Sequence, residues 1–291
     1  MSFRYFEDRS VRYVLWGAAS TSIVIVTLIF LFLFREAAPF ARDPGMGQLV
    51  GTRWMPKSFQ QPSFGLGPLI TGSLLVTVLA TLLAVPFGVC GAVYIAEIAG
   101  PREREILKPF IELVAAIPSV VLGFFGLIVL APIIKNAMNL PTGMTALTGA
   151  VLLALMAVPT IISISEDAIR SVPRSYKGAS LALGASRIQT IAKVVVPAAL
   201  SGIIASIMLG MGRVVGETMA VIMVTGNAAV VTLSPFTPVR TMTATIAAEM
   251  GEVERGSEHY AALFWVGITL LVATFCINLI ALRVLKTYRR A

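Results

Sequence analysis

The sequence predicts an all-α integral membrane protein that crosses the bilayer about six times. Of its 291 residues, 57% are hydrophobic and only 13% are charged, which leaves too few charges to cover the surface of a soluble domain. The charges form short clusters, and the uncharged stretches between them are long enough to span the hydrocarbon. The basic residues flank these stretches, so we interpret the net charge of +8 as a signal for membrane orientation and not for nucleic-acid binding.

Six apolar stretches come close to or exceed the roughly 20 residues that a transmembrane helix needs. In chain order they are residues 14–34, 69–96, 113–134, 144–163, 194–224 and 261–282. The first stretch is too long for the apolar core of a signal peptide, so we expect it to be retained as span one. Pro86, Pro118 and Pro159 fall inside the second, third and fourth stretches, where each is expected to kink its helix.

The distribution of basic residues predicts the orientation of these spans. With the N-terminus inside, fifteen of the 23 Lys and Arg residues lie in cytoplasmic segments and seven in outer segments, while Arg213 lies within span five. Cytoplasmic loops carry the excess of positive charge in membrane proteins. We therefore expect both termini to be cytoplasmic, which fits an even number of spans.

This arrangement divides the chain into three parts. Residues 1–66 hold the first span and a long outer loop, residues 67–285 form a transmembrane core, and residues 286–291 form a cytoplasmic tail. Within the core, residues 164–193 are predicted to form a cytoplasmic loop with two helix-compatible stretches separated by Gly184. Because glycine adopts left-handed or closely packed conformations at low cost, we expect a helix–glycine–helix unit that returns into span five near Pro197.

The same loop resembles the cytoplasmic EAA signature of permeases from ATP-binding-cassette (ABC) importers. The matching positions are Gly178, Ala179, Ser180, Gly184, Val194, Val196 and Pro197. The glycine and proline spacing of the signature is intact, whereas Gly178 replaces its leading glutamate and valines replace its Ile and Leu. The resemblance implies a type I ABC importer permease fold, in which this loop forms a coupling helix that sits in a groove of an ATPase subunit.

The chain has no signature for binding ATP or a metal. The motif GxxxxGK[ST] is missing and the dipeptide Gly-Lys never occurs, so a Walker-type ATP site within this chain is excluded. His259 is the only histidine, which argues against a zinc site or a Ser-His-Asp triad built within the chain. We expect this chain to bind no cofactor and to be no enzyme, with ATP and Mg²⁺ held by a partner subunit.

Span five carries two charges, Arg213 and Glu217, whose spacing predicts one helix face. A charge within the bilayer is costly and needs a specific reason. In one interpretation the two residues form a structural ion pair, beside a packing face made by Gly212 and Gly216. In the other, Arg213 is an anion ligand on the transport path, because its forked donors fit phosphate oxygens, and Glu217 orients it when substrate is absent.

Span five also carries a second row of small residues. Gly202, Ser206 and Gly210 recur every four residues and therefore line one side of a helix, where they favour close contact with a neighbouring span.

Several longer segments resemble one branch of the ABC permeases, the first membrane subunit of phosphate-specific importers (the PstC type). They are residues 52–77, 117–127, 141–150 and 158–186, together with RVVGETMAVIMVTGN, which starts at Arg213. The resemblance implies a second, homologous permease subunit, two ATPase subunits and an external phosphate-binding protein. It also implies that Arg213 and Glu217 lie on a path for phosphate through the inner membrane.

Two alternatives remain open at the level of the sequence. A permease of the same build could carry another oxyanion, such as sulfate, molybdate or tungstate, because an arginine alone does not distinguish tetrahedral anions. An ion-driven secondary transporter would need internal repeats and broken half-helices, and no clear pair is visible. A membrane enzyme has no support, since no nucleophile–base set or metal cluster is present.

Overall fold

The computed structural model describes residues 2–58 and 61–288, and it describes side chains for residues 11–58 and 61–283. The described chain is mostly helical. Its α-helices in chain order are α1 (Ser2–Phe40), α2 (Gly67–Val93), α3 (Pro101–Ala116), α4 (Ser119–Phe125), α5 (Ala131–Ala137), α6 (Ala146–Arg170), α7 (Arg174–Ala182), α8 (Arg187–Thr190), α9 (Val196–Ala198), α10 (Leu200–Gly216), α11 (Met219–Val224), α12 (Met242–Glu249) and α13 (Glu258–Tyr288). A short antiparallel hairpin pairs β1 (Trp54–Met55) with β2 (Ser63–Phe64) in the loop after α1.

Five helical segments of the described chain are long and apolar enough to cross a bilayer. They are Val11–Val50, Gly67–Ile98, Ser119–Ala137, Ala146–Arg170 and Glu258–Arg283. A sixth span results if Arg187–Ala198 and Leu200–Gly216 are counted together, although the two are bent by 69°. The prediction of an all-α membrane protein with about six spans is therefore confirmed.

Span three and span five differ from their predicted courses. Pro118 lies between α3 and α4 with extended backbone, so the stretch predicted as residues 113–134 begins as a span only at Ser119. Span five, predicted as one helix over 194–224, is interrupted after Gly216. By contrast, Pro86 and Pro159 lie inside α2 and α6 as predicted.

The core of the fold is built by α6, which packs against α2 on one side and α10 on the other. Small residues allow the close approach: a Cβ at Gly202 would lie 2.3 Å from the Ala168 Cβ, and one at Gly210 would lie 2.8 Å from Ile161. Between these two positions, the Ser206 and Ser165 hydroxyls are hydrogen-bonded at 2.6 Å. The predicted contact row of span five is confirmed.

The other proposed glycine face has no neighbouring helix within the described chain. Gly212 and Gly216 have open space where a Cβ would stand, so they pack against nothing within the described chain.

The first span stands apart from this core and packs on the last one. Trp265 of α13 donates its indole N–H to the Ala37 carbonyl at 2.8 Å, and Phe32 and Phe264 meet edge to face at 5.6 Å between centroids. Below them, Phe40, Trp54 and Phe64 pack with the start of α13 in a second apolar cluster. The outer hairpin is thereby fixed to the transmembrane helices.

Candidate translocation pathway and coupling surface

The interruption of span five places Glu217 outside the helix that holds Arg213. Glu217 has extended backbone (φ −70°, ψ 133°) at the end of α10, and its Oε1 accepts a hydrogen bond from the Ala220 N–H at 3.2 Å in the first turn of α11. The two side chains form no ion pair within the described structure. The predicted Arg213–Glu217 pair is wrong, because the carboxylate caps the next helix instead of lying one turn along the same one.

Arg213 instead joins α10 to two other helices. Its Nη1 donates to the Thr160 Oγ1 of α6 at 3.5 Å, and its Nη2 donates to the Ala115 carbonyl at 3.4 Å. Ala115 lies in the last turn of α3, where carbonyl groups lack helical partners and a cation is favoured by the helix dipole. Both hydrogen bonds are long and the side chain is half-buried, so the guanidinium is held only weakly.

Glu217 borders a narrow polar cleft of about 10 Å³, roughly the space of one water molecule, between α2, α10 and α12. Hydroxyl groups line much of it, from Ser73, Thr77, Thr241 and Thr243. The Thr243 hydroxyl donates to the Glu217 carbonyl at 2.9 Å, and the Ser73 hydroxyl accepts from the Met242 N–H at 2.9 Å. The sequence analysis singled out Glu217 but missed these hydroxyls, which come from segments distant in sequence.

The helix–glycine–helix unit is confirmed. Gly184 has φ +85°, the left-handed region that glycine occupies without strain, and it separates α7 from α8. Gly178 and Ala179 are exposed on α7, while the Ser180 and Thr190 hydroxyls join the two helices at 2.9 Å. Pro197 lies in α9 at the return to span five.

Two large aliphatic side chains are exposed on this unit. Leu183 is 89% exposed and Ile188 is 77% exposed, on either side of the turn at Gly184. Two large aliphatic side chains exposed on a short connection are typical of a protein contact surface.

Glu97, at the end of span two, holds both helices of the unit. Its carboxylate accepts a hydrogen bond from Lys177 of α7, and its carbonyl accepts one from Arg187 of α8. Sequence reasoning placed no role on Glu97. A lone acidic residue directly after an apolar span, with basic residues in the next cytoplasmic loop, was the available signal.

A second ionic group lies nearby, and we call it the inner cluster: Lys108, Glu166, Asp167 and Arg170. The Glu166 side chain is only 2% exposed, and Lys108 Nζ lies 2.9 Å from its Oε2. Arg170 Nη1 lies 3.0 Å from Oε1 but without hydrogen-bond geometry. The pKa of Lys108 is raised by its hydrogen bond to Glu166, against the opposing effect of burial.

The predicted cytoplasmic loop 164–193 begins too early. Helix α6 continues to Arg170, so Glu166 belongs to this helix and not to the loop.

Four segments meet at the opposite end of the molecule in what we call the outer cluster: Trp54, Arg240, Glu249 and His259. Glu249 accepts hydrogen bonds from Trp54 Nε1 at 3.1 Å and His259 Nε2 at 2.9 Å, and it pairs with Arg240. Burial opposes ionisation of Glu249, but these hydrogen bonds and the charge of Arg240 outweigh it and lower the pKa of the carboxyl. The His259 ring therefore serves a hydrogen bond to a carboxylate, and no group of three or more metal-binding side chains occurs within the described residues.

The family of the chain follows from its sequence as a whole. The family described as binding-protein-dependent transport system inner membrane component matches residues 84–290, and the chain belongs to it. The protein is therefore a multi-pass inner-membrane permease subunit of an ABC importer. The family favours ATP-driven transport over the ion-driven alternative, although span five is broken as in many secondary transporters.

Named relatives extend this assignment beyond the family. The probable ABC transporter permease protein YqgH of Bacillus subtilis is 43% identical over 83% of this chain and 78% of its own length. The phosphate transport system permease protein PstC of Mesorhizobium japonicum is 32% identical over 91% of this chain and 86% of its own length. The chain is thus similar to these permeases over most of its length.

Solved structures support the fold. A chain from the crystal structure of a bacterial ABC transporter involved in the import of the acidic polysaccharide alginate superposes with a TM-score of 0.65. The match covers 98% of this chain and 99% of the other, at 16% sequence identity. Such low identity supports the shared type I permease fold and carries nothing about the substrate.

Proposed function

We propose that this chain is a phosphate-conducting membrane subunit of an ABC importer. The proposal rests mainly on its similarity over most of the chain to permeases named for phosphate transport, at 32% identity for the Mesorhizobium japonicum protein. The partners would be a second homologous permease, two ATPase subunits that hold ATP and Mg²⁺, and an external phosphate-binding protein. Both termini would be cytoplasmic.

Arg213 is the residue that we assign to the anion. Its guanidinium is half-buried in a membrane-spanning helix next to the break in span five, and its two hydrogen bonds at 3.4 and 3.5 Å are long. An approaching oxyanion would offer shorter, charge-assisted hydrogen bonds than the neutral oxygens do. Glu217 would border the path from the other side of the break, where it shapes the polar cleft and cannot neutralise Arg213 directly.

The coupling of ATP to transport would run through α7, Gly184 and α8. The exposed Leu183 and Ile188 would seat this unit in an ATPase subunit. Glu97 would transmit a displacement of this unit to span two. The Ser180–Thr190 hydrogen bond would keep α7 and α8 together. A rigid-body change of access between the two sides of the membrane would follow from this displacement.

Three variants of the complete transporter separate an anion ligand from a structural arginine. Arg213→Gln removes the charge, Arg213→Lys retains it, and Thr160→Val removes a hydrogen-bond partner of Arg213 while leaving the guanidinium in place. Labelled phosphate uptake is measured in proteoliposomes, together with co-purification of all subunits.

We expect Arg213→Gln to lower uptake at least about tenfold with assembly intact, since a charge-assisted contact is lost. Arg213→Lys should retain part of the uptake, and Thr160→Val should stay close to the parent. Normal uptake by Arg213→Gln, or an equal loss in Thr160→Val, would contradict the assigned role.

A further inference from the structure

Glu249 is one carboxylate on which three segments converge, and the hairpin, α12 and α13 also share the second apolar cluster. Trp54 comes from the outer hairpin, Arg240 from the loop before α12 and His259 from the start of α13. The Glu249 side chain is only 13% exposed, and hydrogen bonds to a charged, buried acceptor are stronger than those at the surface.

The other end of the same helix touches the path beside Glu217. Helix α12 has eight residues, so about 12 Å of rigid helix separates its ends. At its N-terminal end Thr243 binds the Glu217 carbonyl and Met242 binds the Ser73 hydroxyl of span two. A displacement at Glu249 would therefore also move the groups that α12 presents to the polar cleft.

Arg240 fixes the loop that leads into this helix. Its Nε donates to the Asn227 carbonyl at 3.0 Å, and Asn227 in turn binds the Ile222 carbonyl of α11 at 2.6 Å. The Arg240 backbone also lies directly on span two, because a Cβ added at Gly72 would stand 2.4 Å from the Arg240 carbonyl oxygen. Moving Arg240 away from Glu249 would thus loosen the loop between α11 and α12 as well.

We propose that Glu249 is a positioning residue that holds the outer end of the path closed. While the outer cluster is intact, α12 is pressed against Glu217 and Ser73 and the polar cleft stays narrow. When the hairpin and α12 separate, the cleft gains access from outside. This inference rests on the proposed import function and on the predicted orientation, which puts the cluster on the outer face.

The chain contains a matched control for this role. Lys57 and Glu252 join the same two segments, the hairpin region and the turn after α12, at 2.9 Å. Their side chains are 65% and 67% exposed, and such a surface pair contributes little. Glu252→Gln therefore removes a carboxylate three residues away without removing a buried acceptor.

The first test measures access to the cleft and needs no transported substrate. In the assembled transporter with the two cysteines of this chain, Cys90 and Cys276, replaced by serine, the cleft-lining variant Thr77→Cys is labelled with a membrane-impermeant thiol reagent from each side in turn. We expect Glu249→Gln to raise the labelling rate from the outer side about tenfold, because charge-assisted hydrogen bonds are lost. Glu252→Gln should leave the rate unchanged. An unchanged rate in Glu249→Gln, or an equal rise in Glu252→Gln, would overturn the proposal.

The second test measures ATP hydrolysis by the reconstituted transporter with and without phosphate-loaded binding protein. Glu249→Gln should raise the unstimulated rate of ATP hydrolysis and reduce its stimulation by the binding protein about tenfold. The subunits should still co-purify in this variant, and Glu252→Gln should hydrolyse ATP as the parent does. Unaltered unstimulated hydrolysis would argue against a closing role. If the parent shows no phosphate response but the labelling result holds, the substrate assignment fails and the role of Glu249 stands.

Discussion

Replacing Lys108 with methionine should destabilise the permease by leaving a buried carboxylate without its hydrogen-bonded partner. Glu166 is almost fully buried in α6, and Lys108 of α3 supplies a contact of 2.9 Å to its Oε2. Methionine keeps much of the length of the lysine stem and removes only the ammonium. The change therefore isolates the charge from the packing.

The expected cost lies between those of buried and surface ion pairs. Breaking a fully buried pair costs about 3–5 kcal/mol, whereas an exposed pair contributes about 0.2–1 kcal/mol. The Lys108 side chain is 35% exposed, and Arg170 stays 3.0 Å from the other carboxylate oxygen. We expect a loss of about 2 kcal/mol, or about 5 °C in Tm for a chain of this size.

Thermal unfolding of the purified complex in detergent, followed by tryptophan fluorescence, measures this loss. Glu166→Gln in the Lys108→Met background removes the uncompensated charge and should restore at least half of the lost Tm. Asp167→Asn provides the control, because Asp167 is 69% exposed and 3.6 Å from the same ammonium; it should shift Tm by less than about 1 °C. A double variant no more stable than Lys108→Met would refute the explanation.

Three further predictions concern other parts of the fold. Gly202→Ala should destabilise the complex by about 1–3 kcal/mol and so lower its Tm, because the added Cβ would overlap Ala168 of α6. Gly212→Ala, with open space at its Cβ, should leave the Tm unchanged, and equal shifts in the two variants would contradict this explanation. Glu97→Gln should reduce phosphate transported per ATP hydrolysed roughly threefold by weakening the contact with Lys177, with hydrolysis itself maintained, and unchanged stoichiometry would exclude a coupling role. The lowered pKa of Glu249 predicts a stabilisation present above its ordinary value of 4.5 and lost as the pH falls through the folded-state value. Tm measured down to pH 4 should therefore drop less in Glu249→Gln than in the parent, and parallel curves would contradict the assignment.

Local sequence patterns were sufficient for the features that depend on neighbouring residues. Uncharged stretches of sufficient length located the spans, and the contact row at Gly202, Ser206 and Gly210 follows from helical periodicity alone. Gly184 marked the turn between α7 and α8 because a residue without a Cβ is favoured at positive φ. These features need no knowledge of distant parts of the chain.

The break in span five shows where local spacing fails. Arg213 and Glu217 are four residues apart, which predicts a pair on a continuous helix. Instead, the Glu217 carboxylate caps α11. The Glu217 carbonyl accepts a hydrogen bond from the hydroxyl of Thr243, which lies in a distant segment. The interrupted backbone is satisfied by groups from elsewhere, as irregular structure at membrane depth requires, and the sequence around Arg213 does not contain that information.

The ionic clusters were missed for a related reason. From the sequence, Glu166 was predicted to lie in a polar loop. In the structure it lies on the buried face of α6 together with Ile162, Ser165 and Ile169. Its burial depends on Lys108, 58 residues away. The outer cluster likewise combines a tryptophan, an arginine and a histidine whose partners become apparent only after the hairpin has folded onto α12 and α13.

Uptake of labelled phosphate in cells lacking this gene tests the central claim most directly. The cells are also deprived of their other phosphate importers, phosphate is supplied at micromolar concentration, and sulfate uptake is measured in parallel. Restoration of phosphate uptake by the intact gene, with sulfate uptake unaffected throughout, is the result we predict. Phosphate uptake that does not depend on the gene, accompanied by a gene-dependent change in sulfate uptake, would leave the ABC permease class in place and contradict phosphate as its substrate.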